Sequence, residues 1–279
     1  MFAVLGLWIH RNVWIGGLFA AVVTAYFTGV LYGFAFFWIA LLFLVALSYR
    51  LSITNPGFGV PPWSLLLVFA ALTMWLALSP PQGFPRTPFV DSVRLSPDAV
   101  VWSMGLGFPK VVPGILIFGF MHPERVRSWR ELGVVLKRVT PMFLFTLAGL
   151  MVIAVALGNV RFDPKWTPLF LVWAPVNLLF TVMAEEAFFR GLVQRGLNAL
   201  GSNRRQAAIF SIAAASLLYG LVHYSGGWNH VVVQALVGAS CGWAYHRTQR
   251  LEAAMAVQFG IDVVQFLLFT FPALESGFG

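Results

Sequence analysis

Charge is what this chain has least of. Asp, Glu, Lys and Arg make up 10% of its 279 residues, against 59% hydrophobic, where a soluble domain carries about 25% charged residues. A water-soluble globule is excluded on that ground. Cysteine is nearly absent as well. The single Cys241 can form no internal disulfide and no thiolate metal cluster, and in its apolar run it reads as a small buried residue. The chain also lacks an internal repeat, a low-complexity tract and any hydrophilic stretch long enough for a soluble domain. Repeat arrays and disordered binding segments fall away with these.

What the chain has instead is a series of long uncharged apolar blocks. A hydrocarbon core about 30 Å thick needs about 20 apolar residues per helix. The block Asn12–Tyr49 is uncharged throughout and too long for one span, so it predicts a hairpin of two helices turning near Thr28–Gly29. Further spans are predicted at Trp63–Ser79, Ala99–Met121, Pro141–Leu157, Thr167–Phe188, Ala207–Val222, Val231–Tyr245 and Ala253–Phe271. Ala99–Met121 is the weakest of these, since it carries Lys110 and two prolines. The expected fold is an all-α, polytopic membrane helix bundle of 8–9 transmembrane helices. Residues 1–140 form N-terminal membrane helices ending in an interfacial amphipathic helix, and residues 141–279 form a second membrane core. The interfacial helix is placed at His122–Arg138, with Val126, Trp129, Leu132, Val135 and Leu136 toward the membrane. The proline-rich stretch "SPPQGFPRTPFVDSVRLSPD" reads as an outside loop, and the apolar stretch after Arg11 as a retained first span, not a cleaved signal.

The net charge of +8 raises the question of nucleic acid, and its distribution answers it. With the N-terminus inside, Arg11, Arg50, the basic residues of "HPERVRSWRELGVVLKR", Arg190, Arg195, Arg204, Arg205, Arg247 and Arg250 fall on the cytoplasmic side. Arg86, Arg94, Lys110, Arg161 and Lys165 are outside or embedded. This is the asymmetry of the positive-inside rule. The basic excess reports topology, with some attraction to anionic lipid, and no nucleic-acid partner is expected.

One apolar span ends in "MAEEAFFRGLVQRGL", which places adjacent carboxylates at membrane depth. Such groups cost about 2.5–3.5 kcal/mol each on insertion scales, so they have a partner or a task. Glu186 and Arg190 are four apart in the favourable order and can neutralise each other. Glu185 is rotated from Glu186 by about 100°, and four residues after it stands Phe189, not a cation. A desolvated carboxylate of that kind suits a general base or acid. The plainer alternative is that both acids sit at headgroup level and mark a helix end. Other late spans add polar groups: His223 closes "AAASLLYGLVHY", and Gln258 and Asp262 lie one turn apart in "AMAVQFGIDVVQFLLF". A histidine at a span end can be simply interfacial. An aspartate inside an apolar span faces the bundle interior as a rule, and three helices bringing polar groups can build one pocket.

These residues resemble the CPBP intramembrane proteases, which include type II CAAX prenyl endopeptidases and bacteriocin-processing enzymes. "EEAFFR" (Glu185 to Arg190) is similar to their EExxxR signature. "YGLVH" (Tyr219 to His223) looks like FxxxH with tyrosine for phenylalanine, and "QFGID" (Gln258 to Asp262) stands where a histidine followed four residues later by Asn or Asp is expected. The resemblance covers roughly Thr167 to Phe271, with the three motifs in order. It implies a glutamate-dependent peptidase in which Glu185 activates a water and Glu186 is locked to Arg190. His223 helps position the water, and Asp262 stands where the family has an oxyanion-stabilising or orienting group. Gln258 departs from the family histidine; an amide neither takes up a proton nor ligates zinc well. An ionised Asp262 would repel an oxyanion.

The function expected is therefore an intramembrane endopeptidase acting on a membrane-anchored protein or peptide, in a multi-pass protein of a prokaryotic cell membrane. No cofactor is expected. Zinc is disfavoured, because Glu185, His223 and Asp262 would be joined by an amide and not by a second imidazole, and His230 and His246 sit at the ends of the Cys241 span. Two alternatives stay open: a catalytically impaired membrane scaffold or chaperone, motivated by Gln258, and a proton- or cation-coupled transporter, which lacks the internal repeat of many such folds.

Overall fold

The computed structural model describes residues 1–9, 12–85, 88–122 and 124–275. Arg11 and Arg86, used above to assign sides, and Pro123 in the expected interfacial helix lie outside the described residues. The chain is mostly helical. Among the described residues four helices are long and apolar enough to cross a membrane: Ala35–Thr54, Trp129–Ala156, Phe170–Leu200 and Leu251–Leu268. Arg204–Leu221 and Tyr224–Thr248 pass that test only together, with a bend of 57° at the break between them. Three apolar helices are shorter, Val13–Phe27, Pro62–Leu78 and Phe108–Met121. This is a membrane protein by composition and helix length alike.

Two compact units make up the chain, each assembled from separated stretches. The first comprises Met1–Thr87, Leu106–Arg125 and Leu179–Leu192. In it α1 (Phe2–Ile9) packs on α2 (Val13–Phe27), and α3 (Ala35–Thr54) packs on α4 (Pro62–Leu78) and α5 (Phe108–Leu116). The α2–α3 turn falls where the sequence predicts it. Thr28 caps α2, its hydroxyl donating to Thr24 O at 2.9 Å, and Gly29 takes φ +71°, a conformation that costs glycine little. Pro109 starts α5, whose residues Val111 to Leu116 are all buried, and a π segment, Ile117–Met121, extends it. Arg125 donates to Leu7 O and, through Nη2, to Phe118 O at 2.6 Å, so one guanidinium satisfies carbonyls left open at two helix ends.

The second unit comprises Pro88–Gly105, Val126–Leu178 and Val193–Gly279. Its strands β1 (Pro88–Val93) and β2 (Trp102–Gly105) pair antiparallel with irregular register. Here two expectations are corrected. The loop read in "SPPQGFPRTPFVDSVRLSPD" contains a strand, and Ala99–Met121 is not one helix. Its first part pairs as β2, and the helix begins only at Phe108, because Pro109 fits the first turn of a helix and not an interior position. The all-α expectation gives way to the same extent.

The interfacial helix is also corrected. Residues 124–128 are not helical, and α6 (Trp129–Ala156) runs unbroken from Trp129 past Pro141. A capping box fixes its start: Ser128 Oγ accepts from Glu131 N at 3.1 Å, and Glu131 reaches back to accept from Arg127 N at 2.9 Å. Trp129 is exposed, whereas Val126 and Val135 are buried.

The run Phe170–Leu200 crosses both units. It consists of α7 (Phe170–Val176), a π segment at Asn177–Val182, α8 (Met183–Glu186), a second π segment at Ala187–Gln194, and α9 (Arg195–Leu200). The acids therefore lie in mid-helix, not near a helix end as "MAEEAFFRGLVQRGL" had suggested. Arginines that look like a terminus in the sequence are carried on the same helix. In the second unit α10 (Arg204–Leu221), capped by Asn203 Oδ1, packs on α11 (Gly227–Thr248), and α11 on α12 (Leu251–Leu268) and α6.

One end of this second unit gathers Ser96–Ala99, Asn159–Lys165 and Phe269–Glu275. Arg161 pairs with Asp98 at 2.8 Å, and Lys165 N donates to Leu267 O. At another place in the unit, Glu252 accepts from Val126 N at 2.9 Å and Arg250 meets Glu131 at 3.0 Å.

Candidate active site

Glu185, Glu186 and Arg190 belong to the first unit. α8 is a single turn bracketed by π segments, a form of helix distortion found often at functional sites. Its position is set by α5. A Cβ on Gly114 would lie 2.7 Å from Ala184 Cα, so only glycine lets the two backbones approach this closely. Glu186 and Arg190 are fully buried. Arg190 Nε donates to Glu186 Oε2 at 3.0 Å and Nη2 to Oε1 at 3.4 Å, a two-point pair of the kind the i,i+4 spacing predicts. The Arg190 guanidinium also lies over the Phe189 ring, 5.9 Å from its centroid. Such a pair holds both charges in a dry interior only while both partners are present. Glu185, one residue earlier, is half-buried.

Tyr219, His223, Gln258 and Asp262 belong to the second unit. Three of them form a contact chain. Gln258 Nε2 donates to the Tyr219 hydroxyl at 3.0 Å, both residues being buried, and the Tyr219 ring lies 4.8 Å from the His223 ring. His223 has left the helix: it stands in the break between α10 and α11, with Nδ1 2.7 Å from Tyr219 O. A carbonyl only accepts, so Nδ1 carries a proton, and it is the neutral form of the ring that has its lone pair on Nε2. That nitrogen is the one able to hold a water or take a proton. Asp262 Oδ2 accepts from Asn177 Nδ2 at 2.8 Å, a bond that joins α12 to the first π segment of the long run.

Two further residues, Asn177 and His230, stand beside the expected ones, and the sequence does not assign either to the site. Asn177 is a lone amide in "VWAPVNLLF", a signal as visible as Asp262 itself. His230, near the start of α11, lines a cavity of about 20 Å³ together with Asp262, Asn159, Gln234 and Gln265, and its ring lies 6.1 Å from that of His223. That is room for about one water, and a water is stable where several polar groups meet it. Polarity alone could not single His230 out, because its role depends on the bend between α10 and α11. Among the described residues, no group of three His, Cys, Asp or Glu side chains is placed to hold a metal ion. Cys241 is fully buried in α11.

Residues 166–264 match the family model described as type II CAAX prenyl endopeptidase Rce1-like. No curated protein and no solved structure matches the chain significantly. The matched stretch contains every one of the seven residues singled out above, from Glu185 to Asp262, and both of those added by the structure. Over this stretch, about a third of its length, the chain is similar to the Rce1-like type II CAAX prenyl endopeptidases, in agreement with its CPBP motifs.

Proposed function

We propose that this protein is a multi-pass intramembrane endopeptidase of a prokaryotic cell membrane that cleaves a membrane-anchored protein or peptide, with Glu185 as the general base. The observation that carries this reading is the division of labour between adjacent acids. Glu186 has both oxygens on Arg190 and is fully buried, while Glu185, the residue before it, is half-buried. Glu185 takes a proton from water, and the water oxygen bonds to the peptide carbonyl carbon. The carbon–nitrogen bond then breaks as the amine nitrogen receives the proton. The lone pair on His223 Nε2 suits it to orient that water. Gln258 and Asp262 act as hydrogen-bonding neighbours. Asp262, held by Asn177, is suited to positioning more than to stabilising an oxyanion, which an ionised carboxylate would repel. The donor set speaks against zinc, since position 258 offers an amide engaged with Tyr219 where an imidazole would be needed.

The test is cleavage of lipid-anchored candidate proteins and peptides by membrane fractions. Wild type is expected to cut and Glu185→Ala to lose cutting at unchanged abundance. Cleavage that survives Glu185→Ala overturns the assignment. A second reading, a scaffold without peptidase activity, draws on the Gln258–Tyr219 bond, which ties α10 to α12 and gives Gln258 a structural task. It is favoured if wild type cuts none of these substrates and Gln258→His turns cutting on.

A further inference from the structure

A pocket of about 270 Å³ in the first unit is unrelated to the acids of α8. It is lined by Asn12, Trp14, Leu47, Arg50, Gly119 and Phe120, among others. Arg50 stands one turn before the end of α3, a membrane-crossing helix. Its surroundings are built. The Phe120 ring is fixed edge-on by Trp14 at 4.9 Å and by Phe43 at 5.3 Å, and the Arg50 guanidinium lies 6.0 Å from the centroid of that ring. Trp14, 1% exposed, rests directly on the backbone of Gly119, where a Cβ would come within 2.3 Å of its ring. Among the described residues the Arg50 guanidinium makes no ion pair and no side-chain hydrogen bond. A guanidinium with five N–H donors in a fixed fork thus lines a pocket shared with the Asn12 amide and with the aromatic and aliphatic side chains of Trp14, Leu47 and Phe120.

We infer that this pocket binds the phosphate of an anionic phospholipid headgroup. The fork of an arginine matches two phosphate oxygens. The end of a crossing helix is the depth at which headgroups lie, and beside the polar Asn12 and Arg50 the lining residues Trp14, Leu47 and Phe120 offer contact to the start of a lipid's glycerol and chains that a free, fully hydrated ion would not use. The basic residues grouped on the same predicted face face the leaflet in which anionic lipid is concentrated.

The experiment measures binding of phosphatidylglycerol and phosphatidylcholine to the full chain in neutral detergent. Wild type is expected to prefer phosphatidylglycerol by about five-fold, the equivalent of one arginine at an anionic surface. Arg50→Gln should bring the two lipids to parity, while Arg130→Gln, on the exposed start of α6, should keep the preference. Leu47→Trp, which fills the pocket and leaves the charge, should also abolish it and decides the matter if Arg50→Gln does not fold. A preference that survives both pocket variants overturns the proposal. So does inorganic phosphate displacing phosphatidylglycerol completely, which would make a free anion the occupant.

Discussion

Removing one carboxylate from the Glu185–Glu186 step has two different expected outcomes, because Glu186 is held by two hydrogen bonds from a fully buried arginine and Glu185 is half-buried. Glu186→Ala strands that charge, at a cost of about 3–5 kcal/mol. Folded protein in the membrane should fall sharply, as read by detergent-resistant yield and thermal unfolding. Glu185→Ala should leave yield intact and remove cleavage; equal yields for the two variants would contradict the division. Gln258→His carries the metal question. Purified wild type should contain no stoichiometric zinc by elemental analysis and should keep activity under chelation, whereas Gln258→His should gain metal. Zinc in wild type, with activity lost on chelation and restored by zinc, would overturn this. At this scale the sequence was informative because the chemistry is local. The Glu186–Arg190 pair follows from spacing along one helix. The Asp262–Asn177 bond joins residues 85 positions apart, and no periodicity announces it.

Elements are placed by backbone contacts that the sequence does not display. Gly114 and Gly133 look alike in a hydropathy plot, yet a Cβ at Gly114 would strike the Ala184 backbone and one at Gly133 would meet nothing within 4 Å. Gly114→Ala should therefore lower the unfolding temperature, and Gly133→Ala should raise stability by up to about 1 kcal/mol through helix propensity. A second element-scale prediction concerns the loop joining α6 to α7. A hydrogen bond from Ser96, then Lys165 beside it, hold the Asp163 carboxyl below the usual carboxylate range. A depressed folded value means that this contribution is full above the unfolded pKa and is lost as pH falls through the folded one. The backbone bonds from Asp163 N to Leu268 O and from Lys165 N to Leu267 O should lose protection against hydrogen exchange, taken relative to the intrinsic rate at each pH, on acidification below about pH 4. In Asp163→Asn that pH dependence should be absent; an unchanged profile would reject the role. Most of the long helices were legible from hydropathy, and with them the Thr28–Gly29 turn, whereas α1 and the break between β2 and α5 were not. The strand pair and the extension of the acid-bearing helix to Leu200 were not. Strand pairing is long-range, and a few arginines cannot end a helix whose turns are otherwise satisfied.

For the whole molecule, the near-absence of cysteine makes orientation directly measurable. In a Cys241→Ala background, a membrane-impermeant maleimide applied to intact cells should label Pro97→Cys, on the strand-bearing end of the second unit. Ser202→Cys, between α9 and α10, should react only after permeabilisation. The reverse pattern would invert the positive-inside assignment. That assignment rests on the distribution of basic residues, the one global property of this chain that can be read without knowing any contact.

The discontinuity of the two units also has a consequence in time. The first unit needs Met1–Thr87, Leu106–Arg125 and Leu179–Leu192 together. Arg125 can close on Leu7 O as soon as it is synthesised, but Gly114 must wait for Ala184, roughly 3–14 s later at about 5–20 residues per second. Throughout that interval the Gly114 side of α5 lacks the helix that covers it in the folded unit. The Glu186–Arg190 pair arrives on the same segment that ends the wait, so the ribosome delivers the lock and the last wall of this unit in one stroke.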